Sequence, residues 1–212
     1  MADDSKYILD LISEGEHQKQ DFKFEITSTR KIAKTLVAFA NSDGGRLLIG
    51  VKDNGKVTGI RSEEEFYMIE AAATMNCKPE VTFEYFNRSV EGKTVLEIRI
   101  EPSVSKPHFA LDESGKWIAY HRINDNNYMA DYILLQVWKR KKRERGTFIA
   151  YSGLEEKVLS ILKEEGPMNL KTLQNQTALN RRKLQNILIN LVSVDAVRLE
   201  YHENTGIYSI LS

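Results

Sequence analysis

Three stretches of the sequence place residue types at spacings suited to holding an anion. Asn41-Ser42-Asp43-Gly44-Gly45-Arg46 sets two glycines among short polar residues. Several backbone N–H groups there could turn toward one point and form an anion nest. Lys23, Arg46 and Arg122 are the cations placed to serve it. Arg181, Arg182 and Lys183, followed by Gln185, Asn186 and Asn190, could meet phosphates or base edges. Arginine and lysine pair with guanine or phosphate, and glutamine or asparagine with adenine. Lys139, Arg140, Lys141 and Lys142 open the basic run KRKKRER. Each stretch also has a simpler role. The glycines alone permit a helix-to-strand reversal. The basic run chiefly complements the negative end of the helix it closes, and its side chains can still touch phosphates. His17, His108, His121 and His202 show no HExxH spacing, and no GxSxG or Cys–His signature occurs, so neither zinc hydrolysis nor a serine or cysteine nucleophile is indicated.

These residues must be positioned by the elements around them. Ser5 to about Ser13 reads as a short helix with Ser5 as its N-cap. Gln20 to Ile26 alternates as a half-buried strand, with Phe22, Phe24 and Ile26 inward and Asp21, Lys23 and Glu25 on the other face. Thr27 or Ser28 caps a helix that buries Ile32, Leu36, Phe39 and Ala40. The apolar run Leu47 to Val51 reads as a strand buried on both faces. Asp53-Asn54-Gly55 signals a hairpin, with Lys56 to Ile60 as the returning strand. A helix over Glu63–Met75 follows, then strands at Val81–Phe86 and Thr94–Ile100, a hairpin of Phe109–Leu111 with Lys116–Arg122, and a closing helix at Met129–Trp138. This order predicts an α+β domain with a mixed or antiparallel sheet and flanking helices.

After residue 152 the character changes. Leu154, Val158, Ile161 and Leu162 line one helix, Gly166-Pro167 ends it, and Asn169 caps a second short helix. Asn180 caps a third, with Leu184, Ile187, Leu188 and Leu191 as the buried stripe. Val197 to Tyr201 and Ile207 to Leu211 form a hairpin. Three helices and a hairpin at this size resemble a winged helix-turn-helix, in which the start of the third helix meets the DNA groove. The expected partition is 1–138, a basic linker 139–152, and 153–212. Residues 1–138 hold 17 basic and 22 acidic residues, and 153–212 hold seven of each. Formal net charge is zero, so no global field favours a polyanion or a membrane surface. The single cysteine, Cys77, excludes an intramolecular disulfide and a thiolate metal cage. No apolar run has the length of a membrane span, and the N-terminus lacks the apolar core of a signal peptide. The expected location is the cytoplasm.

The run Ala38-Phe39-Ala40-Asn41-Ser42-Asp43-Gly44-Gly45, then Leu48-Ile49-Gly50-Val51, Gly55 and Gly59, resembles the Schlafen AlbA-like domain family, to which DNA binding is ascribed. Glu16…Asp21-Phe22-Lys23 upstream and Lys106-Pro107 and Tyr120-His121-Arg122 downstream extend the resemblance over roughly the first 130 residues. It implies a nucleic-acid-binding protein, DNA in preference to RNA, acting as a transcriptional regulator of the bacterial type without a required cofactor. It also implies an alternative. Some members are nucleases that hold a divalent metal on three acidic residues, and the matching positions are Glu16, Asp21 and Asp53. Magnesium or manganese would be the cofactor of that reading. Aspartate at 21 replaces the usual glutamate and is one methylene shorter. Relatives labelled ATP-binding suggest ATP as a ligand, but GGRLLIG has no Walker lysine. A third alternative is a protein-interaction module that forms a homodimer.

Overall fold

The computed structural model describes residues 2–142 and 152–211. In chain order the helices are α1 (Ala2–Glu14), α2 (Thr29–Asn41), α3 (Glu64–Met75), α4 (Tyr132–Lys141), α5 (Gly153–Glu165), α6 (Leu170–Thr177) and α7 (Arg181–Ser193). The strands are β1 (Gln20–Lys23), β2 (Gly45–Ile49), β3 (Cys77–Lys78), β4 (Glu84–Val90), β5 (Lys93–Ile100), β6 (Phe109–Leu111), β7 (Trp117–Ile118), β8 (Tyr120–Ile123), β9 (Asn126–Met129), β10 (Met168–Asn169), β11 (Val197–His202) and β12 (Thr205–Ile210). The chain divides into two compact units, Met1–Ala130 and Asp131–Ser212. No helix among the described residues is long and apolar enough to cross a membrane.

The first unit is built on a four-stranded sheet in the order β1-β2-β5-β4. β1 and β2 run parallel, and the remaining pairs are antiparallel. The expected mixed sheet is therefore present. β2 is interior, which is why Leu47, Leu48 and Ile49 are all fully buried. Leu47, Ile49, Leu96 and Ile98 share a core with α2 and α3. Phe22, Leu48, Val90 and Val95 share a separate core with Ile8 and Leu11 of α1. The alternation of strand side chains thus sends one set to each face. Ser28 caps α2 as expected, accepting from the Lys31 amide at 3.3 Å. Other boundaries moved. Ser5 lies inside α1, not at its cap. The expected strand to Ile26 ends at Lys23, and the expected return at Lys56–Ile60 is reduced to a single bridge, Val51 to Val57.

The second unit begins earlier than the expected boundary after 138. The closing helix starts at Tyr132 instead of Met129, and Ile133 and Val137 of α4 pack into the same core as α5, α6 and α7. This core consists of Val158, Leu162, Leu173, Leu184, Leu188, Leu191 and their neighbours. β10, between α5 and α6, pairs with β12, giving a three-stranded antiparallel sheet in the order β10-β12-β11. The basic residues Lys139, Arg140 and Lys141 form the last turn of α4, where cations complement the helix dipole. The rest of the expected linker, 143–151, lies outside the described residues.

Candidate nucleic-acid interface

The first two expected acidic residues do meet. β1 carries Asp21, and the turn before it brings Glu16 alongside. The Glu16 Oε1 accepts from the Phe22 amide at 2.9 Å. Burial, and then a hydrogen bond shared with the Asp21 carboxyl, push Glu16 above the ordinary carboxylate range. Asp21 is only 5% exposed, with the Lys23 ammonium at 3.2 Å and the Arg122 guanidinium at 3.8 Å. Asp53 does not join them. It sits exposed in the turn closed by the Gly55 amide on the Lys52 carbonyl. Among the described residues no group of three His, Cys, Asp or Glu could hold a metal ion. Glu16 and Asp21 alone, with Lys23 and Arg122 already against Asp21, offer too few oxygens for a magnesium or manganese centre, which requires several ionised ones.

Arg122 also differs from its expected part. Its side chain is fully buried. It donates to the carbonyls of His17 (3.1 Å) and Gln20 (2.8 Å) and to the Asn127 Oδ1 (3.1 Å), and its guanidinium lies 4.7 Å over the Phe39 ring. It joins β8 to the turn before β1 and offers no charge to a ligand.

The glycine loop is likewise turned inward. Asn41 donates through Nδ2 to the carbonyls of His108 (2.9 Å) and Tyr120 (2.8 Å) and accepts from the His108 amide (2.8 Å). The Ser42 hydroxyl accepts from the Arg122 amide at 2.8 Å, and its carbonyl accepts from the Lys106 ammonium at 2.7 Å. The Asp43 carboxylate accepts from Gln18 Nε2 at 3.0 Å. The amides of Ser42 and Gly44 both donate to the Phe39 carbonyl at 3.1 Å. They cap the C-terminal end of α2, the negative end of its dipole, and the Arg46 amide donates to the Lys19 carbonyl at 2.9 Å, so these three amides are not offered to an anion. The glycines serve shape. At Gly44, with φ +70°, a Cβ would stand 2.6 Å from the Ile100 carbonyl, and at Gly45 2.4 Å from the Phe39 ring. Arg46 is half-buried on β2 opposite Arg99 of β5. Lys106 was missed as a working residue. Its sequence signal, Lys106-Pro107, carried part of the family resemblance and no role.

At the start of α7 the expected cap and buried stripe are both present. Asn180 caps the helix, accepting from the Lys183 amide at 2.9 Å. Leu184, Ile187, Leu188 and Leu191 are buried as the periodicity requires. Arg181, Arg182, Lys183 and Asn186 are exposed, and Gln185 is half-buried. No ion pair engages the three cations among the described residues. The second half of α7 differs. Ile189 and Ser193 project away from the Leu184–Leu191 stripe, yet both are buried. α4 packs along α7, and Ile189 shares a core with its Ile133 and Val137. At one end Tyr132 and Ile133 share a cleft with Arg181 and Gln185. At the other, Arg140 donates to the Asn190 side chain and Lys141 pairs with Asp195. Asn190, Arg140 and Lys141 therefore hold α4 on α7. Lys139 and Lys142 are exposed on the last turn and end of α4.

A family model described as "Schlafen, AlbA_2" matches residues 16–131. No curated protein matches the sequence. Among solved structures, the DIP2311 protein from Corynebacterium diphtheriae is similar at 19% identity and a TM-score of 0.49, over 77% of this chain. The chain spans 39% of the length of that protein. The N-terminal domain of a RecG-related protein from Nitrosomonas europaea is similar at 21% identity and a TM-score of 0.41, over 56% of this chain and 87% of that one.

Proposed function

The chain belongs to the Schlafen AlbA_2 family through residues 16–131, and from that premise we propose that it binds nucleic acid, duplex DNA in preference to RNA, as a transcriptional regulator. The second unit would be a winged helix. Its order of helix, short strand, two helices and hairpin, with the sheet arranged β10-β12-β11, supports that reading. One observation carries the proposal. Arg181, Arg182 and Lys183 stand exposed at the capped start of α7 without an ion-pair partner among the described residues. An unpaired cluster of this kind at a helix N-terminus suits phosphate oxygens. Base contacts would come from Asn186 and Gln185 in the first two turns, because Ile189 and Ser193 beyond them are buried.

Three phosphate contacts give a logarithmic salt slope of about −3, and each cation removed should lower its magnitude by about 1. Equilibrium titration of a fluorescent duplex at several salt concentrations reads this directly. The parent should show the slope, and the triple variant Arg181→Ala, Arg182→Ala, Lys183→Ala should lose most of it. A parent that leaves duplex DNA unbound at low salt would overturn the proposal. The nuclease alternative draws support only from the meeting of Glu16 and Asp21, and the placement of Asp53 argues against it.

A further inference from the structure

One cleft of about 440 Å³ in the second unit shares Arg181 and Gln185 with the face proposed for DNA and adds groups that face does not use. The first residues of three helices line it: Tyr132 and Ile133 of α4, Leu170 and Lys171 of α6, and Arg181 of α7. The caps Asp131, Asn169 and Asn180 each take the amide at the third helical position, those of Leu134, Thr172 and Lys183. The amides at the first two positions are not reached by the caps, and they need another acceptor. Three positive dipole ends and two cationic side chains, Lys171 and Arg181, thus border one space.

A second feature points the same way. Tyr208, on β12, lines the cleft while only 1% exposed. Its hydroxyl makes no hydrogen bond to the described residues. The ring is fixed by packing, and its hydroxyl is left to bond what enters the cleft, such as a ligand oxygen. Asp131 is the one carboxylate in the lining. Its two oxygens already accept from the Leu134 amide and the Tyr201 hydroxyl, both at 2.9 Å. Its charge opposes an anion, and Lys171 with Arg181 outweighs it.

We propose that this cleft binds a phosphoryl group, held by Lys171, Arg181 and the free helix-start amides, with the Tyr208 hydroxyl donating to one of its oxygens. Where the phosphate belongs to a nucleic-acid backbone, the inference rests on the function proposed above; where it is free phosphate or a phosphate monoester, it does not. A tetrahedral dianion matches donors converging from three directions better than a planar carboxylate does.

The test is an amide-resolved NMR titration of the full chain with inorganic phosphate at constant ionic strength, with chloride as control. Saturable shifts are expected at Lys171, Arg181 and Gly206. Lys171→Ala should weaken the phosphate by on the order of tenfold, the loss of one charge-assisted contact. Tyr208→Phe, which removes only the hydroxyl, should weaken it several-fold. Repeating the titration with duplex DNA present identifies the source. Loss of the phosphate response assigns the cleft to a backbone phosphate, and an unchanged response assigns it to a free phosphate ligand. Arg182→Ala with Lys183→Ala lies outside the cleft. It should reduce DNA binding and leave the phosphate response intact, so failure of DNA binding and failure of this site are distinguishable. The absence of saturable shifts across the millimolar range, or identical shifts in Lys171→Ala, would overturn the proposal.

Discussion

Replacing Arg122 by methionine should unfold more than it disarms. The substitution keeps a long apolar stem over the Phe39 ring and removes the guanidinium. Three hydrogen bonds from a charged donor disappear, to the His17 and Gln20 carbonyls and the Asn127 side chain. Each carbonyl keeps one backbone donor, because the His17 and Gln20 amides pair across the turn. Asp21, 5% exposed, loses one of its two cations and keeps Lys23 at 3.2 Å. Breaking a buried ion pair costs about 3–5 kcal/mol, and the retained lysine points to the low end, about 3 kcal/mol. A domain of this size shifts by roughly 3–5 °C per kcal/mol, so the first unit should melt roughly 10–15 °C lower. Arg122→Lys should recover little, because an ammonium cannot reproduce a fork that reaches three acceptors. Circular dichroism melts of parent and variants give the shift, and binding to duplex DNA below both transitions gives the function. A variant that melts with the parent but loses nucleic acid would refute the argument and return Arg122 to a ligand-binding role.

Two of the carboxylates displaced from their ordinary range, Glu97 and Glu16, should shape acid stability in opposite directions. Burial alone would raise Glu97, but hydrogen bonds from Arg99, Tyr7 and Arg88 outweigh it and leave the group below the usual carboxylate range. A lowered folded pKa contributes stability that is present above the unfolded value and lost as pH falls through the folded one. Glu97→Gln should therefore lower the urea midpoint at neutral pH and flatten its decline toward acid. Glu16 is raised by burial and by Asp21, so its contribution is present below the usual carboxylate pKa and fades as pH rises through the folded one. Glu16→Gln should make neutral stability equal or higher and remove that fading, as read by urea melts across the carboxylate range. Cys77 is 4% exposed, and burial pushes its thiol up to about 12. It should resist a thiol reagent in the native state and react at once in denaturant.

Local signals carried much of the fold because they are local. Ser28, Asn169 and Asn180 cap the helices that follow them, since a short polar side chain placed three residues before an orphan amide needs no tertiary context. The run Leu47–Ile49 is a buried interior strand because it offers no polar side chain to either face. What stayed hidden depends on partners distant in sequence. Arg122 looked like a free cation because nothing near it announces His17, Gln20 or Phe39. The glycine loop looked like a nest because composition cannot say which way its amides turn. They turn to the Phe39 carbonyl, and that depends on where α2 ends. Asp131 and Tyr208 carried no signal at all, since a cap before a helix and a tyrosine in a strand are ordinary features.

The position of α4 changes what the second unit could read. A helix laid in the major groove without obstruction presents contacts over about three turns of its outer face. Here that face ends after two turns, because Ile189 and Ser193 are buried and Ile189 shares a core with Ile133 and Val137 of α4. Docking with α4 in place would leave three cations for phosphates and Asn186 and Gln185 for bases. Each good base contact discriminates by about 1–3 kcal/mol, whereas phosphate contacts discriminate by none. The expected behaviour is thus appreciable affinity with a small difference between cognate and arbitrary sequence, and a salt slope shared by both. Competition of one labelled duplex against unrelated sequences at fixed salt measures that ratio. A ratio of several orders of magnitude would require base contacts that only a shifted α4 could expose, and disrupting the Arg140–Asn190 and Lys141–Asp195 ties would then change specificity more than affinity.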